Sequence, residues 1–282
     1  MSFEGAGGYV KLRFFFRPEM HIMIYACVFA GRRDRLVYTI RWLRVALSRG
    51  LIHEVHLWKF VRDPDDEGFV DAFRDVPGIR IFAGAGRDTY DRAYAFYECL
   101  SDSDILLKVD DDVIWADVDA LEDFLEHRLT SDALMVSANV INNPVCHVIQ
   151  RKLVPEEHRP PECADLLTDG RQALAVHRHF GEDPRRARIG NLITLHPGVR
   201  LNINCVAFLG RDKFLLSECH DPAGNSDEEN LSVHYPRRFG RTVEIYGNFV
   251  AVHLSFHTQE ETLRPHVPEV LTKYASHLVA AP

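Results

Sequence analysis

Three consecutive carboxylates, Asp110-Asp111-Asp112, close the apolar run Ile105-Leu106-Leu107-Lys108-Val109 and are followed at once by Val113-Ile114-Trp115. The run before them reads as a short buried strand, bounded upstream by the polar Ser101-Asp102-Ser103-Asp104. Carboxylates crowded at the mouth of such a strand repel one another and lose solvation. A hard divalent cation relieves both problems, because it prefers oxygen ligands. The cation can in turn neutralise a diphosphate. The run therefore points to a metal-dependent enzyme acting on a phosphorylated donor; the plain alternative is a solvated acidic turn.

The elements that must hold such a site follow from periodicity. Ile22 to Ala30 is a continuous apolar run ending at Gly31, as a central parallel strand requires. Val37 to Ser48 has helical spacing, with Ile40, Leu43 and Leu47 on one face and Gly50 after its end. Val55–Phe60 and Ile79–Phe82 read as strands, Phe69–Phe73 and Tyr90–Leu100 as helices, Asp117–Leu129 as an amphipathic helix and Ala133–Ala138 as a strand. Strand and helix alternate through the first 140 residues or so, which predicts an α/β fold with a mostly parallel central sheet flanked by helices. Ligands of such sheets bind beyond the carboxyl ends of the strands, where both Gly31-Arg32-Arg33-Asp34 and the three aspartates fall.

After Asn142-Asn143-Pro144 the pattern changes. Residues 150 to 190 are rich in Pro, Arg, Glu and Asp and read as a long insertion with a little helix near Gln172–His179. Asn202–Gly210 and Phe249–Phe256 are then expected as strands. Ser226 is expected to cap a helix, with Glu229 three residues on. Leu263–Leu278 reads as a terminal helix interrupted by Pro265 and Pro268.

Composition sets the outer bounds. The 282 residues are 46% hydrophobic, enough for a substantial core, and the formal charge of −8 argues against a general nucleic-acid binder. No apolar stretch reaches membrane-spanning length, and the start of the chain lacks a signal-peptide pattern. The six cysteines include no C-x-x-C pair, so free thiols in a reducing cytoplasm are expected and a structural zinc site is not. Gly84-Ala85-Gly86 lacks the rest of a dinucleotide fingerprint and no Walker lysine follows it.

Five pieces in order carry a resemblance: Val28-Phe29-Ala30-Gly31-Arg32-Arg33; Leu107-Lys108-Val109-Asp110-Asp111-Asp112; Asn139-Val140-Ile141-Asn142-Asn143; Ser226-Asp227-Glu228-Glu229-Asn230-Leu231; and Val252-His253-Leu254-Ser255-Phe256-His257-Thr258-Gln259. The chain resembles nucleotide-sugar glycosyltransferases of the GT-A fold, in particular bacterial capsule and viral rhamnosyltransferase-like enzymes. The likeness implies a GT-A domain over residues 21–262, with a nucleotide-binding half to about 140 and an acceptor and catalytic half from 141. Residues 1–20 would be an extension and 263–282 a helical tail. It also implies roles. Asp110 and Asp112 match the Asp-x-Asp motif, with Asp112 on Mn or Mg and Asp110 on metal or ribose; Asp111 adjoins the nucleotide. His253 matches a late metal-binding histidine, with His257 as its substitute and a satisfied core histidine as the plain reading. Glu228 matches the base of inverting enzymes, with Asp227 next in line and a capping carboxylate as the alternative. Arg33, Asp34, Arg87 and Asp88 fall where the fold meets its nucleotide, and Arg32 or Arg33 can meet the diphosphate. Each also fits an ordinary loop or N-cap.

The implied activity is metal-dependent, inverting transfer of a sugar from a nucleotide-diphosphate donor, UDP-linked, to a capsular or surface glycan or glycolipid. Peripheral association with the inner face of a membrane is compatible with it. Arg185-Arg186-Ala187-Arg188 would meet an anionic lipid or glycan, or only solvent. Two other readings stay open: a sugar nucleotidyltransferase, and a non-catalytic module that binds a sugar nucleotide or glycan.

Overall fold

Strands β1 (Ile24–Ala30), β2 (Glu54–Lys59), β3 (Ile79–Phe82) and β4 (Ile105–Asp110) lie parallel in the order β3-β2-β1-β4. This computed structural model describes residues 22–61, 63–84, 88–217 and 226–278; the expected extension over 1–20 lies outside them. From Ala26 onward β1 is buried, because both of its faces are covered, and a strand so placed must be apolar at every position. The connections are α1 (Arg33–Ser48), α2 (Pro64–Asp71) and α3 (Asp88–Phe96). Helix α1 buries Leu36, Ile40 and Leu43, and Gly50 follows it with φ of 69°, the left-handed turn that glycine takes without strain. Gly31 is required for space. A Cβ there would lie 2.5 Å from the carbonyl oxygen of Phe60.

The sheet continues through β5 (Val113–Ala116), β6 (Met135–Ile141), β7 (Leu192–Leu195), β8 (Cys205–Leu209) and β9 (Val243–His253). Its full order is β3-β2-β1-β4-β8-β6-β9-β5, with β7 also on β9. The chain is a single α/β domain with a mixed sheet. The arm from β3 to β4 and the β6–β9 pair are parallel, while β8 runs antiparallel between β4 and β6. That reversal sets the site. Cys205 pairs with Val109, so residues 202–204 arrive at the carboxyl edge of β4. Strand β5 returns directly from the aspartates and pairs Val113 with His253 at the end of β9. Helix α1 fixes the turn between them: Trp42 Nε1 donates to the Val113 carbonyl at 2.9 Å, and Thr39 Oγ1 donates to that of Asp111 at 2.8 Å.

The rest of the chain departs from the periodicity reading in six places. Val113–Ala116 is a strand, and Leu192–Leu195 is another; neither was expected as a separate element. Strand β9 begins at Val243, not Phe249, and ends at His253. Asn143-Pro144 starts helix α5 (Pro144–Leu153) and is not a simple turn: the Asn143 side chain accepts from the amides of Val145 and Cys146. The stretch read as an insertion carries α6 (Gly170–Phe180), which is longer than expected. Helix α4 (Leu121–Thr130) follows a short 3-10 turn in place of a helix begun at Asp117.

Two apolar clusters result. The larger surrounds the sheet. The second packs Trp115 and Val252 against Phe180 of α6 and against Val270 and Tyr274 of the helix Val267–Ala275, so residues of the expected 263–282 tail enter this core. The arginine cluster is part of the same surface. Arg188 and Arg185 both pair with the fully buried Asp117, and Arg185 also lies over the Trp115 ring. These two guanidinium groups therefore serve the fold while staying partly exposed. Cys27, Cys99, Cys146, Cys163 and Cys205 are free thiols, and Cys219 lies outside the described residues. Among the described residues no helix is long and apolar enough to cross a membrane.

His177 of α6 joins the second core to the strand that ends in His253. Its ring nitrogens meet the Leu254 carbonyl at 2.8 Å and the Tyr274 hydroxyl at 3.3 Å, and burial pushes it from the ordinary 6.5 down to about 4. The unfolded chain therefore takes up this proton first as pH falls. The folded state loses stability from about pH 6.5 down to about pH 4 at about 1.4 kcal/mol per unit. Thermal unfolding followed between pH 7 and pH 5 should show a falling midpoint, with a shallower fall in His177→Gln. Equal slopes would remove His177 from this account.

Candidate active site

The three aspartates leave β4 in different directions. Lys108 and Asp110, two apart in the strand, share a face; Lys108 Nζ donates to Asp110 Oδ1 at 2.6 Å. Asn204 Nδ2 donates to the other oxygen at 3.1 Å. Asp111 turns back over the β1 end. Its Oδ2 accepts from the backbone amides of Gly31 and Arg32, each at 3.0 Å, and its carboxylate also pairs with the Arg32 guanidinium. Asp112 is 1% exposed and faces three basic groups: Arg32 Nη2 at 3.0 Å, His253 Nε2 at 3.4 Å and Arg35 Nη1 at 3.6 Å. Glu260 accepts from both arginines, at 3.1 Å from Arg32 and 2.8 Å from Arg35.

These charges set the protonation states. Burial works against the Asp112 carboxylate, but the charges of Arg32, His253 and Arg35 outweigh it and hold its carboxyl below the usual range. Burial likewise works against a charged His253, yet Asp112 wins and raises it above the ordinary histidine value.

Asp110, Asp112 and His253 each bring one ligand atom to a place where all three lie within 4.8 Å of one another. The group fits a divalent cation on two counts. Oδ2 of Asp112 is engaged by its ion pairs, but Oδ1 of Asp112 and Nδ1 of His253 are buried with no hydrogen-bond partner, which is costly unless something else occupies them. Two carboxylates and an imidazole are also a donor set suited to Mn or Mg. The trio is the one expected from sequence. His257, the substitute, is exposed and begins a 3-10 turn beyond the strand.

A cleft of about 240 Å³ opens at this edge. Phe29 and Phe60 wall it on one side, Arg32 and Asp110 on the sheet side, and Asp227 and Glu228 stand on its rim. The acid pair opens the short helix Asp227–Glu229, which the Ser226 side chain caps by accepting from the Glu229 amide, as expected. A π turn, Asn230–His234, continues it. Tyr94 of α3 donates its hydroxyl to Asp227 Oδ2 at 2.7 Å. Glu228 is held by Arg200 Nε at 2.9 Å and Asn202 Nδ2 at 3.0 Å. Both acids are thus fixed in direction, and both face the cavity that Asp110 lines.

The remaining nucleotide candidates are distributed otherwise. Arg33 is half exposed and pairs with Asp65 and Asp66 on α2, at 3.6 and 3.8 Å. Asp34 is exposed and lies 3.6 Å from Arg35, away from the cleft. Neither lines the cavity; the neighbouring Arg32 does. Arg32 is the N-cap of α1, with extended backbone, and turns to the aspartates, while Arg33 and Asp34 open the helix and point to α2 and to solvent. Arg87 lies outside the described residues, as does the side chain of Asp88 at the start of α3. Asn142 and Asn143 are buried and do not line the cleft.

Several contributors were not singled out from sequence: Lys108, Arg35, Glu260, Arg200, Asn202, Asn204 and Tyr94. Lys108 left a signal, being a charged residue inside an apolar strand and in phase with Asp110. Arg35 arrives from the first turn of α1 and Glu260 from the chain after β9, while Arg200, Asn202, Asn204 and Tyr94 become neighbours through the antiparallel entry of β8 and the packing of α3.

No protein-family profile and no curated protein matches the chain. Solved structures do. The 4-diphosphocytidyl-2C-methyl-D-erythritol synthase of Anaerococcus prevotii is 14% identical, with 91% of this chain and 96% of that one covered and a TM-score of 0.42. The inositol-1-phosphate CTP transferase of T. maritima gives 11%, 92%, 99% and 0.46. The Francisella tularensis 2-C-methyl-D-erythritol 4-phosphate cytidylyltransferase gives 9%, 86%, 98% and 0.44. The second is named a CTP transferase and the third a cytidylyltransferase. Likenesses of this size assign no reaction.

The trio makes a direct prediction. Titration of the protein with Mn²⁺, followed by calorimetry, should show one site. Asp112→Asn and His253→Gln should each weaken it by at least about 10- to 100-fold, the loss that even outer partners of a metal site command. Asp34→Asn should bind as the parent does. Undiminished affinity in both ligand variants would place the ion elsewhere.

Proposed function

We propose that this chain is a metal-dependent transferase that moves a sugar from a nucleotide-diphosphate donor, UDP-linked, to a hydroxyl of a glycan or glycolipid, with inversion. The observation that carries the reading is one cleft lined on its floor by a carboxylate of the Asp110–Asp112–His253 trio and on its rim by the Asp227–Glu228 pair. A cation held by the trio would neutralise charge on the departing nucleoside diphosphate.

The residues of the chain do the rest. Phe29 and Phe60 offer an apolar wall to the nucleoside, and Arg32 stands beside the trio where the diphosphate would lie. Glu228, or Asp227 beside it, takes the proton of the acceptor hydroxyl as its oxygen bonds to the anomeric carbon. The bond from that carbon to the phosphate oxygen breaks, and its electron pair leaves with the diphosphate. The sugar passes through an oxocarbenium-like state, as in glycoside hydrolysis.

The second reading is nucleotidyl transfer to a sugar phosphate; the names of two of the solved structures state a comparable transfer to inositol-1-phosphate and to a methyl-erythritol phosphate. Lys108 and Arg32, the basic residues on the cleft wall, are what would favour it. One feature weighs for glycosyl transfer. A phosphate nucleophile is already anionic and leaves the acids Asp227 and Glu228 without a proton to take.

The assay separates the two. With Mn²⁺ and a panel of UDP-sugars, release of UDP is expected; with CTP and sugar phosphates, release of pyrophosphate is not. Asp112→Asn and Glu228→Gln should each lower turnover about 100-fold or more, the range of a lost general base. Pyrophosphate release with CTP alone would replace the first reading by the second. Full activity in Glu228→Gln would move the base to Asp227.

A further inference from the structure

Three asparagines link the two halves of the cleft. Asn204 donates from Nδ2 to Asp110 Oδ2 at 3.1 Å, and Asn202 donates from Nδ2 to Glu228 Oε2 at 3.0 Å. They are two residues apart on the segment that leads into β8. Between them the Ile203 carbonyl accepts from Lys108 Nζ at 3.0 Å, the same ammonium that holds the other oxygen of Asp110. Behind them stands Asn143, fully buried. Its Nδ2 donates to the Asn202 carbonyl at 3.0 Å and to Asn204 Oδ1 at 3.1 Å, while its Oδ1 caps α5.

The amide orientations are forced. Asn204 must present NH₂ to a carboxylate and oxygen to the Asn143 NH₂; Asn143 must present oxygen to two backbone amides and NH₂ to two oxygens. Reversal of either side chain would set like against like at two buried contacts at once. The set is therefore a directional strap, from the N-terminus of α5 through Asn143 to both acids.

We infer that Asn143, Asn202 and Asn204 are positioning residues: Asn204 aims Asp110 at the cation, Asn202 aims Glu228 at the acceptor, and Asn143 fixes the distance between the two. This rests on the metal-dependent transferase reading for its consequences in catalysis, but not for the physical link itself. A fixed separation matters because attack needs the acceptor oxygen and the anomeric carbon in near-contact, and small misplacements of the groups that hold them cost rate steeply.

The test uses variants that keep the shape. Asn143→Asp keeps the helix cap, which aspartate serves equally well, and removes both donations to the strap. Asn204→Ala removes only the arm to Asp110, and Asn202→Ala only the arm to Glu228. Mn²⁺ affinity, measured on the full chain without donor by the loss of the free-ion resonance signal, should fall about 10-fold or more in Asn143→Asp and Asn204→Ala, as for partners that orient a metal ligand. It should stay at the parent value in Asn202→Ala. In the UDP-release assay, Asn202→Ala should lower kcat with little change in KM for the donor, a split that general loosening of the fold would not produce.

Parent-like Mn²⁺ affinity in both Asn143→Asp and Asn204→Ala would overturn the strap. Should the parent protein itself bind no Mn²⁺, the metal reading falls, and the strap is judged by urea unfolding of Asn143→Asp, Asn204→Ala and the double variant. Midpoint shifts smaller in the double variant than the sum of the singles support the link, and additive shifts refute it.

Discussion

Three carboxylates on consecutive residues cannot be buried together unless each is given its own cation or donors, and the architecture around β4 follows from that constraint. Two like charges about 4 Å apart repel by about 4 kcal/mol at the effective dielectric of a protein surface. The chain divides the load. The pleat sends Asp110 to the Lys108 side of the strand, where Lys108 and Asn204 share its oxygens. Asp111 points the other way and becomes the buried anchor for Gly31 and Arg32. Asp112, already in the turn, meets Arg32, Arg35 and His253. The outcome is that Asp111 is consumed by the fold, while Asp110 and Asp112 come to lie beside His253.

Each compensating group arrives through a particular element. Arg32 and Arg35 come from the first turn of α1, and Glu260 ties them together so that their charges do not repel unopposed. His253 arrives because β5 runs straight back from the aspartates along the end of β9. Asn204 arrives because β8 is antiparallel to β4 and starts where β4 stops. A wholly parallel sheet would bring the end of a strand there, followed by a loop leading away, and the residues before β8 would be at the opposite edge. The antiparallel pairing is therefore a condition for the site as much as a feature of the topology.

Strands β1 and β4 were legible in the sequence because they are nearly continuous apolar runs closed by glycine or acid, a pattern that burial on both faces imposes. The metal trio was legible for a similar reason: two of its members share one short motif, and the third ends an apolar strand. What escaped was whatever depends on phase or on long-range pairing. The start of α1 was placed at Val37, four residues late, so the turn that selects Arg32 over Arg33 and Asp34 was out of view. Asn143-Pro144 stood out only as the place where the pattern changes, although asparagine followed by proline is also how a helix begins, with a capping side chain and a first residue that needs no amide partner. Strands β5 and β7 have four residues each, too short for an alternation to show, and exist because β9 offers them an edge.

Buried polar atoms without partners mark the metal trio, but they do not mark it alone. Arg128 is fully buried with Nε and Nη1 unmatched, and both ring nitrogens of His147 are in the same condition. Burial, with Arg151 adding to it, pushes His147 down to about 4, which removes the charge that would otherwise demand a counterion. Arg128 cannot shed its charge in that way and instead shares a region with Asp212 and Glu244, whose fields offset part of its burial. Asp112 differs from both. Its charge is favoured by the guanidinium and imidazole groups beside it, and ligand atoms of Asp110 and His253 converge with its own beside a cleft. An orphaned atom in a closed core is a local cost of packing, whereas carboxylate and imidazole ligand atoms gathered at the open edge of a sheet make a donor set of the kind a divalent cation takes.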